Sequence, residues 1–193
     1  MADDWRIALP QLKTSGLALR EVQQEDAGPL LALFSDREVA SSISAPPAST
    51  SELVERIEAA HAERRLGRGV CLALVPDEER VAAGLFRVRE IEPRFGSAEW
   101  EFAIAPGHWG RGTFFLAAPL VIDFVFDVLG ASRLEARAAI GNGRGLAALR
   151  KLGAVQEAIL RQAQQTPAGL RDQALWTILA DTWRHKTGRL RVH

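Results

Sequence analysis

The stretch Ser97–Phe115, SAEWEFAIAPGHWGRGTFF, decides the fold. SAEWEFAIA reads as a strand, on which Glu99 and Glu101 stand two apart and so share one face. A glycine-rich loop, PGHWGRGT, follows. Phe114–Leu129 is then a long apolar stretch with helical spacing at Leu120, Phe124 and Val128, closed by Gly130. Gly110 and Gly112 lack a Cβ, so the backbone there can turn tightly and approach a ligand closely. The first N–H groups of the next helix have no intrahelical partner. Loop and helix start together make a positively polarised nest suited to a phosphate, to which Arg111 adds a charge-assisted contact. The loop is neither a Walker A sequence nor GxGxxG. On these residues alone, a plain strand-to-helix turn is an equal reading.

Upstream, Leu17–Val22 alternates as a strand, and Glu25 and Asp26 open a helix through Phe34. The Pro/Ser-rich run Ser41–Ser51 reads as a loop. Ser49 and Glu52 fit a capping box for a helix carrying Leu53, Val54, Ile57 and Ala60 on one face. GVCLALVP and VAAGLFRVREIE flank the turn DEER as a hairpin, and a turn at Pro93–Gly96 leads back to the deciding strand. Downstream, Arg133–Ile140 is a strand, Asn142–Leu152 a helix closed by Gly153, and VQEAILRQAQ and DQALWTILADTW two strands around the loop Thr166–Leu170. The alternation predicts an α/β fold, with parallel pairing at the centre of a mixed sheet.

The chain has 193 residues, enough for one domain with one core. Lys plus Arg and Asp plus Glu number 24 each, so net charge gives no reason to expect nucleic-acid or membrane binding, while self-association, as monomer or homodimer, stays open. Cys71 is the sole cysteine; it excludes an internal disulfide and points to a reducing, cytoplasmic setting. In its apolar run it reads as a buried strand residue. No stretch matches a signal peptide or a membrane span. No histidine pair has ligand spacing, so no metal is expected.

Four blocks in order, LALREVQQEDA, PGHWGRG, LEARAAIGNGRGLAALRKLGAVQEAILR and DQALWTILADTW, resemble the GNAT N-acetyltransferase superfamily, in the branch of the ribosomal-protein N-terminal acetyltransferases. The most specific pieces are Trp109–Gly112 and Asn142–Gly153. The resemblance implies a mostly antiparallel mixed sheet of about seven strands with a central splayed parallel pair, Glu99–Ala105 and Arg133–Ile140, and helices on both faces. It divides the chain into an extension over 1–14, the acetyltransferase domain over 15–184 and a basic tail over 185–193. It implies acetyl-coenzyme A as acyl donor, with the diphosphate on Trp109, Gly110, Arg111, Gly112, Thr113 and Phe114. Backbone near Ile104 and Ala105 would meet the pantetheine arm, as would Asn142, Arg144 and Gly145. The implied activity is acetyl transfer to a primary amine, with a protein N-terminus and a small amine both open; an acyl-coenzyme A-binding module without activity is the alternative.

Such chemistry needs a neutral amine, and a carboxylate can remove its proton directly or through water. Glu99 and Glu101 are the candidate base or amine-binding groups, Glu99 where many relatives carry an acid and Glu101 where they usually carry glycine; a solvated face with two surface charges is the alternative reading. Arg161 and Asp172 match polar positions near the acceptor entrance; a surface ion pair is the equal reading. Four departures from the pattern stand out. Leu116 stands where relatives commonly carry a glutamate early in the helix. Phe114 occupies a small-residue position, where its ring would either crowd the diphosphate or enter the core. Pro119 lies inside the predicted helix, and Leu149 takes the place of a tyrosine that protonates the thiolate in relatives. The chain has no tyrosine. Among the histidines, only His108 adjoins the loop.

Overall fold

In the computed structural model, which describes residues 4–43, 45–166 and 169–188, the deciding strand lies inside an eight-stranded sheet. The elements are β1 (Leu12–Thr14), β2 (Leu17–Glu21), α1 (Ala27–Ser35), α2 (Arg37–Ala40), α3 (Thr50–Arg65), β3 (Gly69–Pro76), β4 (Gly84–Glu90), β5 (Ser97–Ile104), α4 (Thr113–Asp127), β6 (Arg133–Ala139), α5 (Gly143–Leu152), β7 (Val155–Thr166), β8 (Gly169–Leu179) and α6 (Ala180–Thr187). The sheet order is β1-β2-β3-β4-β5-β6-β8-β7. Every neighbouring pair is antiparallel except β5 and β6.

Alternation along β3 feeds two cores. Val70, Leu72 and Leu74 join the core that holds α4, while Cys71 and Ala73 join the one that holds α1 and α3. Helices therefore cover both faces, as expected. On α4, Val121, Ile122, Phe124, Val125 and Phe126 are all buried, and at about 2 kcal/mol each they anchor this helix, and the loop before it, to the sheet. Pro119 sits within α4, which nonetheless runs unbroken to Asp127; its missing N–H leaves the Phe115 carbonyl without its i+4 donor.

The structure revises several expectations. The sheet has eight strands, because β1 pairs Leu12 with Leu19 and Thr14 with Leu17 inside the segment assigned to an extension. Trp5 is also buried there, edge-on to Phe95 at 5.8 Å between ring centroids. Strand β4 begins at Gly84 rather than Val81, since the Ala82 N–H donates to the buried carboxylate of Asp26 at 3.2 Å. The second half of the capping box is displaced: Ser49 accepts from the Glu52 N–H, but Glu52 accepts from the Ala48 N–H, one residue outside the cap. The strand expected over DQALWTILADTW ends at Leu179, and Ala180–Thr187 is a helix whose Trp183 indole donates to Asp123 at 2.9 Å. That helix takes up residues 185–187 of the expected basic tail, and Lys186 donates to the Leu152 carbonyl at 2.8 Å. The tail beyond Gly188, including His193, lies outside the described residues, as do Ser44 of the Ser41–Ser51 loop and residues 167–168 of the Thr166–Leu170 loop.

Candidate active site

The parallel contact between β5 and β6 is short. It pairs Ser97 with Arg133, Ala98 with Leu134 and Glu99 with Glu135, and then stops, although both strands continue. The pair splays from that point. Ala105 donates its N–H to Ala83 on the β4 side, and backbone alternation therefore turns Trp100, Phe102 and Ile104 toward the gap. On the α4 side the gap is bordered by partly buried apolar groups, among them Phe102, Phe114, Ala138 and Leu146. This is a crevice with an apolar wall and, along one edge, β5 backbone beyond the reach of the β6 ladder.

Helix α4 begins at the mouth of the crevice. Gly110 and Gly112 have φ of 72° and 81°, in the left-handed region, and a Cβ on either would meet nothing within 4 Å. Gly112, the N-cap, offers no side chain to the helix start. Phe115 and Leu116 donate back to the Gly112 carbonyl, which leaves the Thr113 and Phe114 N–H groups directed outward beside exposed Arg111. The Phe114 ring packs in the aromatic cluster of Phe86, Trp100 and Phe102, 4.6 Å from the Phe102 centroid. It enters the core and leaves the helix start clear. The residues present fit a diphosphate on the amides and an extended arm in the crevice.

Trp109 and Arg144 follow β5 and β6 respectively, and they meet. The Arg144 guanidinium lies 3.8 Å from the Trp109 ring centroid and pairs with Glu38 of α2 at 2.9 Å. The Trp109 indole donates to the Ile104 carbonyl at 2.7 Å, and its ring borders both cores. Asn142 caps α5 by accepting the Gly145 N–H at 2.9 Å. A Cβ at residue 145 would sit 2.8 Å from the Asn142 amide nitrogen, which explains the glycine there.

Glu99 and Glu101 share a face of β5, yet their surroundings differ. Glu99 is 4% exposed and held between two guanidiniums, Arg89 of β4 and Arg137 of β6, the latter at 3.3 Å. Glu101 is exposed. Its lateral neighbour on β4 is Arg87, whose guanidinium is taken by both oxygens of Glu63 at 3.0 Å. Of the two carboxylates, Glu101 is the one open to an incoming amine.

The remaining candidates fall into place around this crevice. Leu149 is 1% exposed and packs in the core. His108 pairs with Glu79 of the β3–β4 connection at 3.1 Å and ties the loop to that turn. Arg161 is exposed, and Asp172 accepts the backbone N–H of Gln162 at 2.8 Å, so this carboxylate holds a β7 irregularity where Gln162 has φ of 52°. Gln164, buried on β7, donates to the Ser42 carbonyl at 3.0 Å and joins β7, just before the Thr166–Leu170 loop, to the Ser41–Ser51 loop. Cys71 is buried, and burial pushes its thiol up to about 12, which disqualifies it as a nucleophile near neutral pH. Among the described residues no cluster of three His, Cys, Asp or Glu side chains could hold a metal. No helix among them is long and apolar enough to cross a membrane. The sequence reading passes over Arg89, Arg137 and Glu38. The two strand arginines are recoverable from period-two spacing once the register is known; Glu38 carries no such signal.

Comparison with known proteins agrees with this geometry. The chain is 26% identical to an uncharacterized N-acetyltransferase, p20, of Bacillus licheniformis over 172 residues, covering 87% of this chain and 95% of that one. The RimJ protein of Mycobacterium smegmatis, solved with a coenzyme A disulfide, superposes with a TM-score of 0.78 at 20% identity, covering 90% of each chain. RimL, a ribosomal L7/L12 α-N-protein acetyltransferase solved with coenzyme A, superposes with a TM-score of 0.81 at 16% identity, covering 90% of this chain and 99% of that one. At these identities the two structures establish a shared fold. Enzymes of this fold use acetyl-coenzyme A. Residues 17–155 match the acetyltransferase (GNAT) domain, and the chain belongs to the GNAT acetyltransferase family.

Proposed function

We propose that the protein transfers an acetyl group from acetyl-coenzyme A to a primary amine, with a protein N-terminal amine as the leading acceptor, and that it does so in the cytoplasm, where the lone thiol of Cys71 stays reduced. One observation carries the reading: a helix start with free amides opens directly onto a splayed parallel pair. The amides of Thr113 and Phe114, with Arg111, would hold the diphosphate. The edge of β5 at Phe102 and Ile104 would align the pantetheine arm as an added strand. Bound acetyl-coenzyme A supplies a thioester whose C–S bond breaks as the amine forms its C–N bond.

The protein's own groups do the rest. Glu101 accepts the proton that an ammonium must lose, directly or through water. The task is modest for an α-amine, whose pKa of about 7.7–8.0 leaves it partly neutral near pH 7.5, and heavier for a lysine near 10.4. The crevice-facing N–H groups of β5 would donate to a developing oxyanion. Leu149 offers no proton to the departing thiolate, so water supplies it; a thiol of pKa about 8.5 leaves tolerably as the anion. Glu99, enclosed by Arg89 and Arg137, serves as a positioning residue for both arginines. The binding-only alternative draws on Phe114, Leu116, Pro119 and the missing tyrosine; on the first of these, the packing of the Phe114 ring against Phe102 supports the enzyme reading.

The test is thiol release from acetyl-coenzyme A across peptides and small amines. Removal of a general base costs roughly 10²–10⁴ in rate, so E101Q should lose at least a hundredfold in kcat. Either the absence of amine-stimulated release or an E101Q protein as fast as wild type overturns the assignment.

A further inference from the structure

The two lips of the crevice carry opposite charges on the same face of the sheet. Glu99 stands opposite Glu135 in the last parallel pair. Two residues on, Glu101 and Arg137 face each other across the gap, their side chains pointing the same way as those of Glu99 and Glu135. Glu101 is exposed on the β5 lip. Arg137, 41% exposed at its side chain, stands on the β6 lip and leans back on Glu99 through Nε. Its two terminal nitrogens make no hydrogen bond among the described residues, and its one ion pair there is with Glu99. Arg89 touches the same buried carboxylate from the other side and is 49% exposed. Two guanidiniums thus share one carboxylate, while Glu135 is held by Arg133 at 2.8 Å, which leaves Arg137 a planar fork of donors turned to the open face.

We propose that Arg137, backed by Arg89, is an anion subsite for the acceptor, and that the preferred acceptor is a peptide amine with an acidic side chain at its second residue. The proposal rests on the acetyltransferase reading and adds the substrate class to it. The amine goes to the Glu101 lip and the anionic group to the Arg137 lip, with the thioester between them. The lips stand further apart than the roughly 4.8 Å of a paired ladder. That separation suits an anion one residue beyond the amine better than the carboxylate of a free α-amino acid. Glu99 keeps the fork oriented: a buried carboxylate with two guanidinium partners fixes Arg137 on its own lip instead of letting it cross to neutralise Glu101.

The experiment compares two peptides of equal shape, Ser-Asp-Gly-Gly amide and Ser-Asn-Gly-Gly amide, together with a panel of neutral amines, by thiol release. The readout is the ratio of kcat/KM for the acidic over the amide peptide, taken within each protein so that any loss of folded enzyme cancels. A charge-assisted pair gives wild type a ratio of roughly ten or more. In R137Q, and in R137M, which keeps the aliphatic stem, the ratio should fall to about one. A wild-type ratio near one, or a ratio that both variants leave intact, overturns the anion subsite while the acetyltransferase reading stands. Absence of release with every peptide and amine sinks both.

Discussion

Replacing Gly112 with alanine separates the two roles of the loop glycine, because Gly130 provides a matched control. Both residues have nearly the same backbone conformation, φ 81° and 83°, and a Cβ at either would meet nothing within 4 Å. A left-handed alanine costs about 1–2 kcal/mol, and a protein of this length loses about 2–4 °C of Tm per kcal/mol. G112A and G130A should therefore lose a similar 2–8 °C or so. Cofactor binding should part them. Gly130 follows the far end of α4, whereas residue 112 is its N-cap, immediately before the Thr113 and Phe114 amides that would hold the diphosphate. Loss of one hydrogen bond to a charged oxygen is worth about 1.5–3 kcal/mol, or roughly ten- to hundredfold in Kd. Isothermal titration with acetyl-coenzyme A should give that loss for G112A and wild-type affinity for G130A. Equal affinities for the two variants, or G112A within twofold of wild type, would refute the diphosphate assignment.

Three further outcomes follow from the packing and the charges. F114A removes a ring 4.6 Å from Phe102 and 5.3 Å from Phe115. It should cost about 2–3 kcal/mol, the lower end for a large aromatic because the ring is partly exposed; a thermal melt that does not move, with tighter acetyl-coenzyme A binding, would show the ring blocking the site instead. D26N should cost about 3 kcal/mol by urea unfolding, since it breaks a two-pronged contact of 2.7 and 2.8 Å between Arg20 and a fully buried carboxylate; a loss under 1 kcal/mol contradicts that role. Glu157 is held down at about 2 by hydrogen bonds from Arg133 and then Thr177, against an ordinary 4.5. Its folded pKa is depressed, so its stabilisation is complete above about pH 4.5 and disappears as pH falls toward 2. Wild type should exceed E157Q by about 1 kcal/mol or less near neutrality, given an exposed pair, and the two melting curves should converge near pH 2; a gap that widens in acid would reverse the sign.

The sequence makes the strand–loop–helix unit legible because its signals are local: alternation on β5, glycines at 110 and 112, and helical spacing from Phe114 onward, one residue inside the observed start at Thr113. What it hides depends on distance along the chain. The three residues of β1 are too few to show a period, and only pairing with Leu17–Leu19 defines them. Helix α6 escapes notice because no glycine or proline separates it from β8, and its N-cap, Leu179, is not a capping residue. Glu99 and Glu101 look equivalent two residues apart. Their divergence is written on other strands, in Arg89 and Arg137, which close over one carboxylate and leave the next open. Asp26 reads as a helix opener, although it is a fully buried hub that joins Arg20 to the backbone of Gln23 and Ala82. Arg144 and Trp109 belong to separate motifs, and only the fold stacks them.

The three-residue limit on the β5–β6 contact gives this sheet a third border, running through its middle. Outer borders invite stray strands from other molecules. This one lies at the bottom of a slot walled by Phe102, Phe114 and Leu146 and straddled by the Trp109–Arg144 stack. A second polypeptide sheet is too broad to enter, while a single slender chain is not. The fold can therefore leave backbone hydrogen-bonding capacity unspent at its centre without exposing itself to aggregation.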